Sequence, residues 1–181
     1  MGVVARTVLD AQDIDRAIVR ISHEIVESNH GTANLLLLGI PTRGVYLAER
    51  IASSIQKNYP EFKLETSVGR LDVTMFRDDL SSNPTKAVTA TQIPISDLSE
   101  VTVVLVDDVL FSGRTVRAAL DALVSYGRPK AVRLAVLVDR GHRELPIRAD
   151  FVGKNLPTSA HERISVRLSE SDGEQGVVIE Q

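Results

Sequence analysis

The 181-residue sequence contains no cysteine and no tryptophan, and aromatic residues make up only 4% of it. Without cysteine the chain has no disulfide, no cysteine-based zinc site, no iron–sulfur cluster and no cysteine nucleophile. So small an aromatic content argues against an array of stacking platforms for single-stranded nucleic acid. These absences exclude several classes of redox, metal-binding and nucleic-acid-binding protein.

Long apolar runs and a strong net charge are also missing. No apolar segment approaches the length of about 18 residues that spans a bilayer. The N-terminus becomes acidic and polar where a signal peptide has its apolar core. The formal net charge of −3 argues against a generally basic nucleic-acid coat and leaves partners of either sign open. We therefore expect no membrane association and a cytoplasmic location.

The length and composition suit one globular domain over residues 1–181, with 43% hydrophobic and 25% charged residues. Helical spacing of apolar residues predicts a helix over Asp10–Asn29, and Asp10 is a suitable N-cap. The short apolar run Leu35–Ile40 is typical of a buried strand. A second amphipathic helix is predicted after it, with Val45, Ala48, Ile51 and Ile55 on its apolar face.

The second half of the chain repeats this order of strand and helix. Val101–Val106 is predicted to be a buried strand and Ala131–Val138 the next strand. The helix between them is predicted to carry the apolar residues Val116, Ala119, Leu120, Leu123 and Val124. Ile164–Leu168 alternates as a terminal strand, with Val177–Ile179 as its hairpin partner. The alternation of strands and helices implies right-handed crossovers and a parallel sheet, so the predicted fold class is α/β.

The stretch between the two halves is less regular. Lys63–Val73 is predicted to be a strand, but residues 77–94 are polar, contain two prolines and show little periodicity. A long irregular segment in a compact domain is usually a functional lid or a mobile loop. Alternating threonine and valine within it leave an exposed β-hairpin as the other interpretation.

The most informative segment follows the predicted strand that ends at residue 106. Asp107 and Asp108 come where a parallel sheet opens its ligand crevice. Ser112, Gly113 and Thr115 then begin a helix, whose unpaired N–H groups and dipole favour a phosphate. The carboxylates cannot bind the same phosphate, because like charges repel. They suit sugar hydroxyls, a divalent cation or a developing positive charge. A ligand with ribose hydroxyls beside a 5′-phosphate fits both halves.

This segment, VVLVDDVLFSGRT at Val103–Thr115, resembles the thirteen-residue phosphoribosyl pyrophosphate (PRPP) motif of type I phosphoribosyltransferases. Residues 39–52, GIPTRGVYLAERIA, resemble the pyrophosphate loop of that family, and residues 71–80 the start of its flexible loop. Residues 127–159 are similar to one subgroup, the bifunctional pyrimidine operon regulators with uracil phosphoribosyltransferase activity. The resemblance implies the type I phosphoribosyltransferase fold, a parallel sheet flanked by helices with a small hood and a flexible loop.

The resemblance also implies a reaction, in which uracil displaces pyrophosphate from PRPP and gives UMP. Asp107 and Asp108 would hold the ribose hydroxyls near an oxocarbenium-like transition state, where electrostatic stabilisation is the main expected effect. Mg²⁺ would bind with PRPP, and no transition metal is expected. The implied substrate-binding residues are Thr42, Arg43 and Gly44 for pyrophosphate, Arg77 on the flexible loop, Val109, Leu110, Phe111, Ser112, Gly113, Arg114 and Thr115 after the carboxylates, and Arg140 beside the uracil.

The same subgroup binds the leader mRNA of pyrimidine genes and senses uridine nucleotides such as UMP and UTP. Residues 139–155 hold four Lys/Arg against three Asp/Glu, a bias too faint to indicate RNA by itself. The subgroup implies a homodimer or higher oligomer. Positions that match its RNA-contact set are His23, Thr42, His142, Arg143, Arg148 and Lys154.

This sequence departs from the subgroup at three positions. Pro41 stands where many members carry lysine, Ser28 where arginine is frequent, and Val19 where a hydroxyl residue is frequent. Proline offers neither a charge nor an N–H to a pyrophosphate. Because of the departures at Ser28 and Val19, we expect the RNA affinity or the RNA target to differ from that of the subgroup.

Two other functions remain open at this stage. One is a phosphoribosyltransferase for uracil or a purine base without a regulatory role, and the other is an RNA regulator whose catalysis is vestigial. The motif at Val103–Thr115 fits all three functions. Residues 127–159 favour a pyrimidine regulator over a purine enzyme, and only turnover separates the bifunctional protein from the vestigial one.

Overall fold

The computed structural model describes residues 5–79 and 89–181. The elements in chain order are β1 (Ala5–Leu9), α1 (Ala11–Ser28), β2 (Leu35–Gly39), α2 (Arg43–Asn58), α3 (Leu64–Ser67), β3 (Val68–Arg70), a 3₁₀ turn (Thr74–Phe76), β4 (Thr102–Leu110), α4 (Arg114–Val124), β5 (Ala131–Asp139), β6 (Phe151–Asn155), β7 (Arg163–Arg167), α5 (Ser169–Asp172) and β8 (Gly176–Glu180). A five-stranded sheet with the order β3-β2-β4-β5-β6 forms the centre, and a three-stranded sheet with the order β1-β8-β7, here called the hood, lies beside it.

Helix α1 begins where its sequence predicts. The Asp10 carboxylate accepts the N–H of Asp13 at 2.8 Å, and the Asp13 carboxylate accepts the N–H of Asp10 at 3.0 Å. This reciprocal capping box satisfies two N–H groups that the first turn leaves unpaired. Ile14, Ile21 and Ile25 recur at helical spacing and are all buried, so burial of one apolar face stabilises the helix.

The five named strands of the central sheet pair with one another in parallel, which confirms the predicted α/β class. The strands β2, β4 and β5 are apolar almost throughout because both of their faces are covered. Leu37 and Val104 pack on one face of the sheet, together with α1 and α2. Leu36 and Val103 pack on the other face, with buried residues of α4. The C-terminal end of α4 departs from the prediction, because Val124 is 76% exposed.

Two sequence predictions are wrong in the middle of the chain. Lys63–Val73 is not one strand but the short helix α3 followed by the three-residue strand β3. The N–H of Thr66 donates to the Lys63 carbonyl, which closes a helical turn there. Strand β4 also extends beyond Val106 to Leu110, because its ladder with β5 continues past that point. The two aspartates therefore lie within the strand and not after it.

The hood forms from both ends of the chain. Strands β7 and β8 make the antiparallel hairpin predicted at residues 164–179, and β1 pairs with β8 on its other side. The lid or hairpin predicted over residues 77–94 lies largely in residues 80–88, outside the described residues, although Arg70 and Gln92 form an antiparallel bridge at its base. In the described part of the chain, no helix combines the length and hydropathy that a membrane crossing requires.

Candidate active site

Two consecutive carboxylates lie near the C-terminal end of β4, the central strand of the sheet. The Asp107 carboxylate accepts the N–H of Asp108 at 2.9 Å, and the Asp108 carboxylate accepts the N–H of Val109 at 2.8 Å. Asp107 is 8% exposed, whereas Asp108 is half-buried. These bonds to the backbone fix both side chains at the edge where a parallel sheet binds ligands.

The loop between β2 and α2 lies directly against the backbone of β4. A Cβ on Gly44 would come within 2.3 Å of the Val106 carbonyl oxygen, and one on Gly39 within 2.4 Å of the Cα of Val45. Only glycine permits backbones to approach so closely. The first turn of α2 is therefore held next to Asp107, which brings the predicted pyrophosphate loop to the carboxylates.

The loop between β4 and α4 has the shape expected of a phosphate-binding loop. Gly113, the N-cap of α4, has a φ of +94°, a left-handed conformation that favours glycine. The Ser112 hydroxyl accepts the N–H of Arg114 at 3.3 Å. The Ser112 carbonyl accepts the N–H groups of Glu144 at 2.9 Å and Leu145 at 3.1 Å. The segment 144–147 thus supports the loop from behind and fixes the start of α4.

These loops enclose a cavity of about 420 Å³, a volume in the range of small-molecule sites. The cavity brings together seven of the residues predicted from sequence, and it adds six that sequence reasoning did not assign as site residues. The predicted residues are Thr42, Arg43, Arg77, Asp107, Asp108, Val109 and Thr115; the added ones are Ile40, Pro41, Asp72, Val73, Thr74 and Thr89.

Arg43 lies on the cavity wall and is held by the hood. Its Nε donates to Asp172 Oδ2 at 3.1 Å and its Nη2 to Asp172 Oδ1 at 2.7 Å, a bidentate ion pair. The hydrogen bonds that Arg43 donates to Asp172 raise the pKa of Arg43, and the charge of Asp108 adds to this effect. A permanently cationic group therefore faces a cavity that three aspartates, Asp72, Asp107 and Asp108, also line.

Arg77 and Arg114, two further arginines near the site, also form ion pairs with acidic side chains. Arg77 lines the cavity and donates to both carboxylate oxygens of Asp79, at 2.8 and 2.6 Å. The Arg114 side chain donates to Glu144 at 2.6 Å and also to Asp78. Arg114 therefore joins the start of the flexible loop to the segment behind the phosphate loop. Its backbone, and not its guanidinium, is the part that belongs to the predicted phosphate site.

Arg140 is buried and is not among the side chains that line the cavity. It is 7% exposed and donates to the Thr158 hydroxyl at 3.1 Å and to the carbonyls of Ser159 and Glu162 at 3.2 and 2.8 Å. Its guanidinium lies 4.2 Å from the centre of the Phe111 ring, a cation–π contact. Burial lowers the pKa of Arg140. The residue therefore supports Phe111, which is 41% exposed.

Two of the predicted RNA-contact residues lie on adjoining elements. His23 is exposed on α1 and Lys154 is exposed on β6. Arg20, one turn before His23, donates to the carbonyls of Val152 at 3.1 Å and of Gly153. These bonds join α1 to β6, the two elements that carry His23 and Lys154.

The remaining predicted RNA residues have different surroundings. Arg148 is exposed, whereas the Arg143 side chain is only 24% exposed and forms an ion pair with Asp139. Arg143 also donates to the carbonyls of Ile147 at 2.8 Å and Phe111 at 2.9 Å. Its guanidinium therefore holds residues 139–147 in shape. His142 bonds to the Thr158 carbonyl, and Thr42 lies at the cavity.

Sequence reasoning missed two carboxylates that shape the cavity. Asp72 accepts the N–H groups of Thr74 at 2.7 Å and of Thr89, and so connects the two ends of the predicted flexible loop. It falls in the segment that resembles the start of that loop, but only Arg77 was singled out there. Asp172 gave no local signal, because it lies 129 residues from Arg43 in sequence.

The donor atoms present fit a magnesium ion that arrives with a polyphosphate. Across residues 5–79 and 89–181, no group of three or more His, Cys, Asp or Glu side chains is placed to hold a metal. Mg²⁺ is typically bound by one or two carboxylates together with substrate phosphates and waters. Asp107 and Asp108 supply such oxygens at the cavity.

Comparison with known proteins defines the class of the chain. A family model described as "Phosphoribosyl transferase domain" matches residues 5–170. A hypoxanthine phosphoribosyltransferase from Staphylococcus aureus has a TM-score of 0.69 at 17% identity, over 94% of this chain and 89% of that chain. The hypoxanthine phosphoribosyl transferase of Trypanosoma cruzi has a TM-score of 0.71 at 16% identity, over 97% and 91%. The chain belongs to the phosphoribosyltransferase family, which confirms the predicted fold.

Curated relatives narrow the family to one group. A protein of Leifsonia xyli named "Bifunctional protein PyrR" is 64% identical over 180 residues, which are 98% of each chain. A protein of the same name from Streptomyces coelicolor is 58% identical over 175 residues, covering 97% of this chain and 89% of that one. The chain is a member of this PyrR group, as the resemblance at residues 127–159 predicted.

Proposed function

We propose that the protein transfers the phosphoribosyl group of PRPP to uracil, giving UMP and pyrophosphate, and that it also binds pyrimidine-gene leader mRNA in response to uridine nucleotides. The observation that supports the enzymatic half is one cavity shared by Asp107, Asp108, the start of α4 and two arginines. The membership of the PyrR group, named for two functions, supports the regulatory half.

The two aspartates stabilise the ribose in the transition state. As pyrophosphate leaves C1′, positive charge develops on the ribose ring, and carboxylates fixed in advance stabilise it without having to reorganise. The hydrogen bonds from the N–H groups of Asp108 and Val109 provide that fixation. Asp107 and Asp108 bind the ribose hydroxyls. Mg²⁺ bound with PRPP would be held by these carboxylates and would neutralise negative charge on the departing pyrophosphate.

The two ends of PRPP bind on opposite sides of these carboxylates. The 5′-phosphate accepts N–H groups from the start of α4 at Gly113–Thr115, where the helix dipole favours an anion. The pyrophosphate accepts from the first turn of α2 and from the guanidinium groups of Arg43 and Arg77, both on the cavity wall. These cations stabilise the negative charge that the leaving group acquires. Pro41 supplies no such charge, so Arg43 carries more of this role.

Uracil binds beyond the end of β5, against residues 138–141. Backbone groups there offer hydrogen bonds to the uracil edge, and Phe111 offers an apolar surface. Arg140 positions that ring from beneath through its contact at 4.2 Å. A ribose held by Asp107 and Asp108 directs C1′ toward this region, because β4 and β5 are adjacent strands.

The test of the enzymatic half is pyrophosphate release from PRPP with Mg²⁺ and a panel of bases. We expect uracil to be converted to UMP, and hypoxanthine and guanine to give no product. Efficient use of a purine without use of uracil would refute the proposal and assign the chain to a purine phosphoribosyltransferase. The absence of turnover with every base, together with UMP-sensitive RNA binding, would leave an RNA regulator with vestigial catalysis.

The proposed RNA surface comprises His23, Arg148 and Lys154, which are all exposed. Lysine and arginine side chains that contact phosphates release counterions, so binding to the leader RNA weakens as salt rises. UMP or UTP binds in the neighbouring nucleotide site and raises RNA affinity, and by linkage the RNA raises nucleotide affinity by the same factor. His142 and Arg143 shape the adjoining loop, and Thr42 lies at the nucleotide site.

A gel-shift titration of leader RNA across salt, with and without UMP, tests this half. We expect Arg148→Ala to weaken binding and to reduce the salt slope by about one, since one fewer counterion is released. Arg128→Ala, an exposed arginine in the turn after α4, is the matched control and keeps the wild-type slope. UMP-insensitive binding, or no binding to any pyrimidine-gene leader, would remove the regulatory role and leave a uracil phosphoribosyltransferase.

A further inference from the structure

Two arginines on one face of α2 attach that helix to the hood. Arg43 and Arg50 are seven residues apart, about two helical turns, so their side chains lie on the same side of the helix. Arg43 forms its bidentate pair with Asp172, and Arg50 donates to Glu170 Oε1 at 2.8 Å and Oε2 at 2.5 Å. Both carboxylates belong to α5, the short helix between β7 and β8. The helix that begins at the pyrophosphate loop is thus attached to the hood by two similar ion pairs.

The two pairs differ in their relation to the cavity. Arg43 is on the cavity wall, whereas Arg50 is two turns further along the helix and lines no part of that cavity. Asp172 engages Arg43 through Nε and Nη2, one edge of the planar guanidinium. Among the described residues, no hydrogen bond engages Nη1 of Arg43. The Nη1 end is therefore available to bind a second anion, because a guanidinium can bind anions along two edges at once.

Asp172 is itself held in place on the hood side. Its Oδ2 accepts the N–H of Leu168 at 2.8 Å and the hydroxyl of Ser171 at 2.7 Å. Leu168 is fully buried in the core that also contains the apolar faces of α1 and α2. The bond to Arg43 keeps the pKa of Asp172 well below its usual range, so the carboxylate is ionised at neutral pH. The acceptor that orients Arg43 is therefore a charged group anchored to the core.

We propose that Asp172 is a positioning residue for the pyrophosphate of PRPP, because it holds one edge of Arg43 and leaves the Nη1 end for the leaving group. This inference rests on the proposed function, in which Arg43 binds pyrophosphate. A side chain that is ordered before the substrate arrives loses less conformational entropy on binding. The saving for one long side chain corresponds to about a threefold to tenfold change in the Michaelis constant.

Asp172→Asn and Glu170→Gln form a matched pair for the test. Each removes one carboxylate charge from α5 and one ion pair to α2, but only the first touches a cavity residue. We expect Asp172→Asn to raise the KM for PRPP, and the KM for pyrophosphate in the reverse reaction, about threefold to tenfold. The KM for UMP and kcat should stay within about twofold, because UMP carries no pyrophosphate. Glu170→Gln should change none of these constants, although it lowers Tm to a similar extent.

A double-mutant cycle separates positioning from a general structural role. Arg43→Ala alone should raise the KM for PRPP, and adding Asp172→Asn to it should change nothing further, since the residue to be positioned is gone. Asp172→Glu keeps the carboxylate and should recover part of the affinity. This variant also keeps the test valid if Asp172→Asn does not fold.

Three results would overturn the inference while wild-type turnover remains. These are an unchanged or lower KM for PRPP in Asp172→Asn, the same shift in Glu170→Gln, and additive effects of Asp172→Asn and Arg43→Ala. A lower KM for PRPP in Asp172→Asn would mean that the ion pair with Asp172 competes with PRPP for Arg43. Failure of the proposed function looks different, because the wild-type protein itself would then convert no PRPP with uracil.

Discussion

Replacing Gly44 with alanine tests how the pyrophosphate loop is held against the carboxylate strand. The added Cβ would lie 2.3 Å from the Val106 carbonyl oxygen and 3.3 Å from the Cα of Asp107. Both neighbours are backbone atoms, so no side chain can rotate away, and α2 and β4 must separate by roughly 1 Å to restore ordinary contact. Alanine in a helix gains up to about 1 kcal/mol over glycine, but overpacking against backbone costs about 1–3 kcal/mol. We expect a net loss of stability of about 1–2 kcal/mol.

The same displacement should affect catalysis more than stability. A shift of about 1 Å between the pyrophosphate loop and the aspartates lowers kcat/KM by about 100-fold, because the reacting groups lose their alignment. Urea unfolding and PRPP-dependent UMP formation measure the two effects. Gly176→Ala is the control, since its Cβ would meet the Leu9 carbonyl at 3.4 Å, an ordinary contact. Wild-type stability and wild-type kcat/KM in Gly44→Ala would refute the close packing of this loop on β4.

Three further outcomes follow from the described contacts. The pKa of Asp172 is lower in the folded than in the unfolded chain. The wild type should therefore have a higher unfolding free energy than Asp172→Asn, by an amount that is complete above about pH 5 and shrinks below about pH 4. A difference that does not depend on pH would contradict this. Arg143→Ala should lower the unfolding free energy by about 1–3 kcal/mol, since it leaves the carbonyls of Phe111 and Ile147 without their donor, and an unchanged urea midpoint would argue against it. Excess chelator should abolish PRPP turnover without changing Tm, because no metal group within the described residues supports the fold; a loss of Tm would indicate a structural ion.

The elements that sequence predicts well are those whose signal is local. Leu35–Gly39 is a continuous apolar run and forms a strand buried on both faces, and Asp10 caps α1 through a bond to a residue three positions away. The motif at residues 103–115 combines a strand, a turn and a helix start, so its parts are adjacent in both sequence and space. Neighbouring residues alone therefore suffice to predict the carboxylates and the phosphate loop.

The features that sequence reasoning missed depend on distant partners. Strand β1 is mostly exposed and is defined by its pairing with β8 at the other end of the chain. The extension of β4 through Asp107 requires the ladder to Val136 on β5. The attachment of Arg43 to Asp172 spans 129 positions. Local patterns carry no information about such pairs, because tertiary packing alone brings them together.

The rate of pyrophosphate release from PRPP with uracil, compared between the wild type and Asp108→Asn, tests most directly whether the two carboxylates of β4 serve phosphoribosyl transfer. The substitution keeps the size of the side chain, and Asn can still accept the N–H of Val109 that Asp108 accepts at 2.8 Å. The expected result is a rate more than tenfold lower, or over about 1.4 kcal/mol of lost transition-state stabilisation, at unchanged Tm. A folded Asp108→Asn variant with near-wild-type turnover would contradict the assignment.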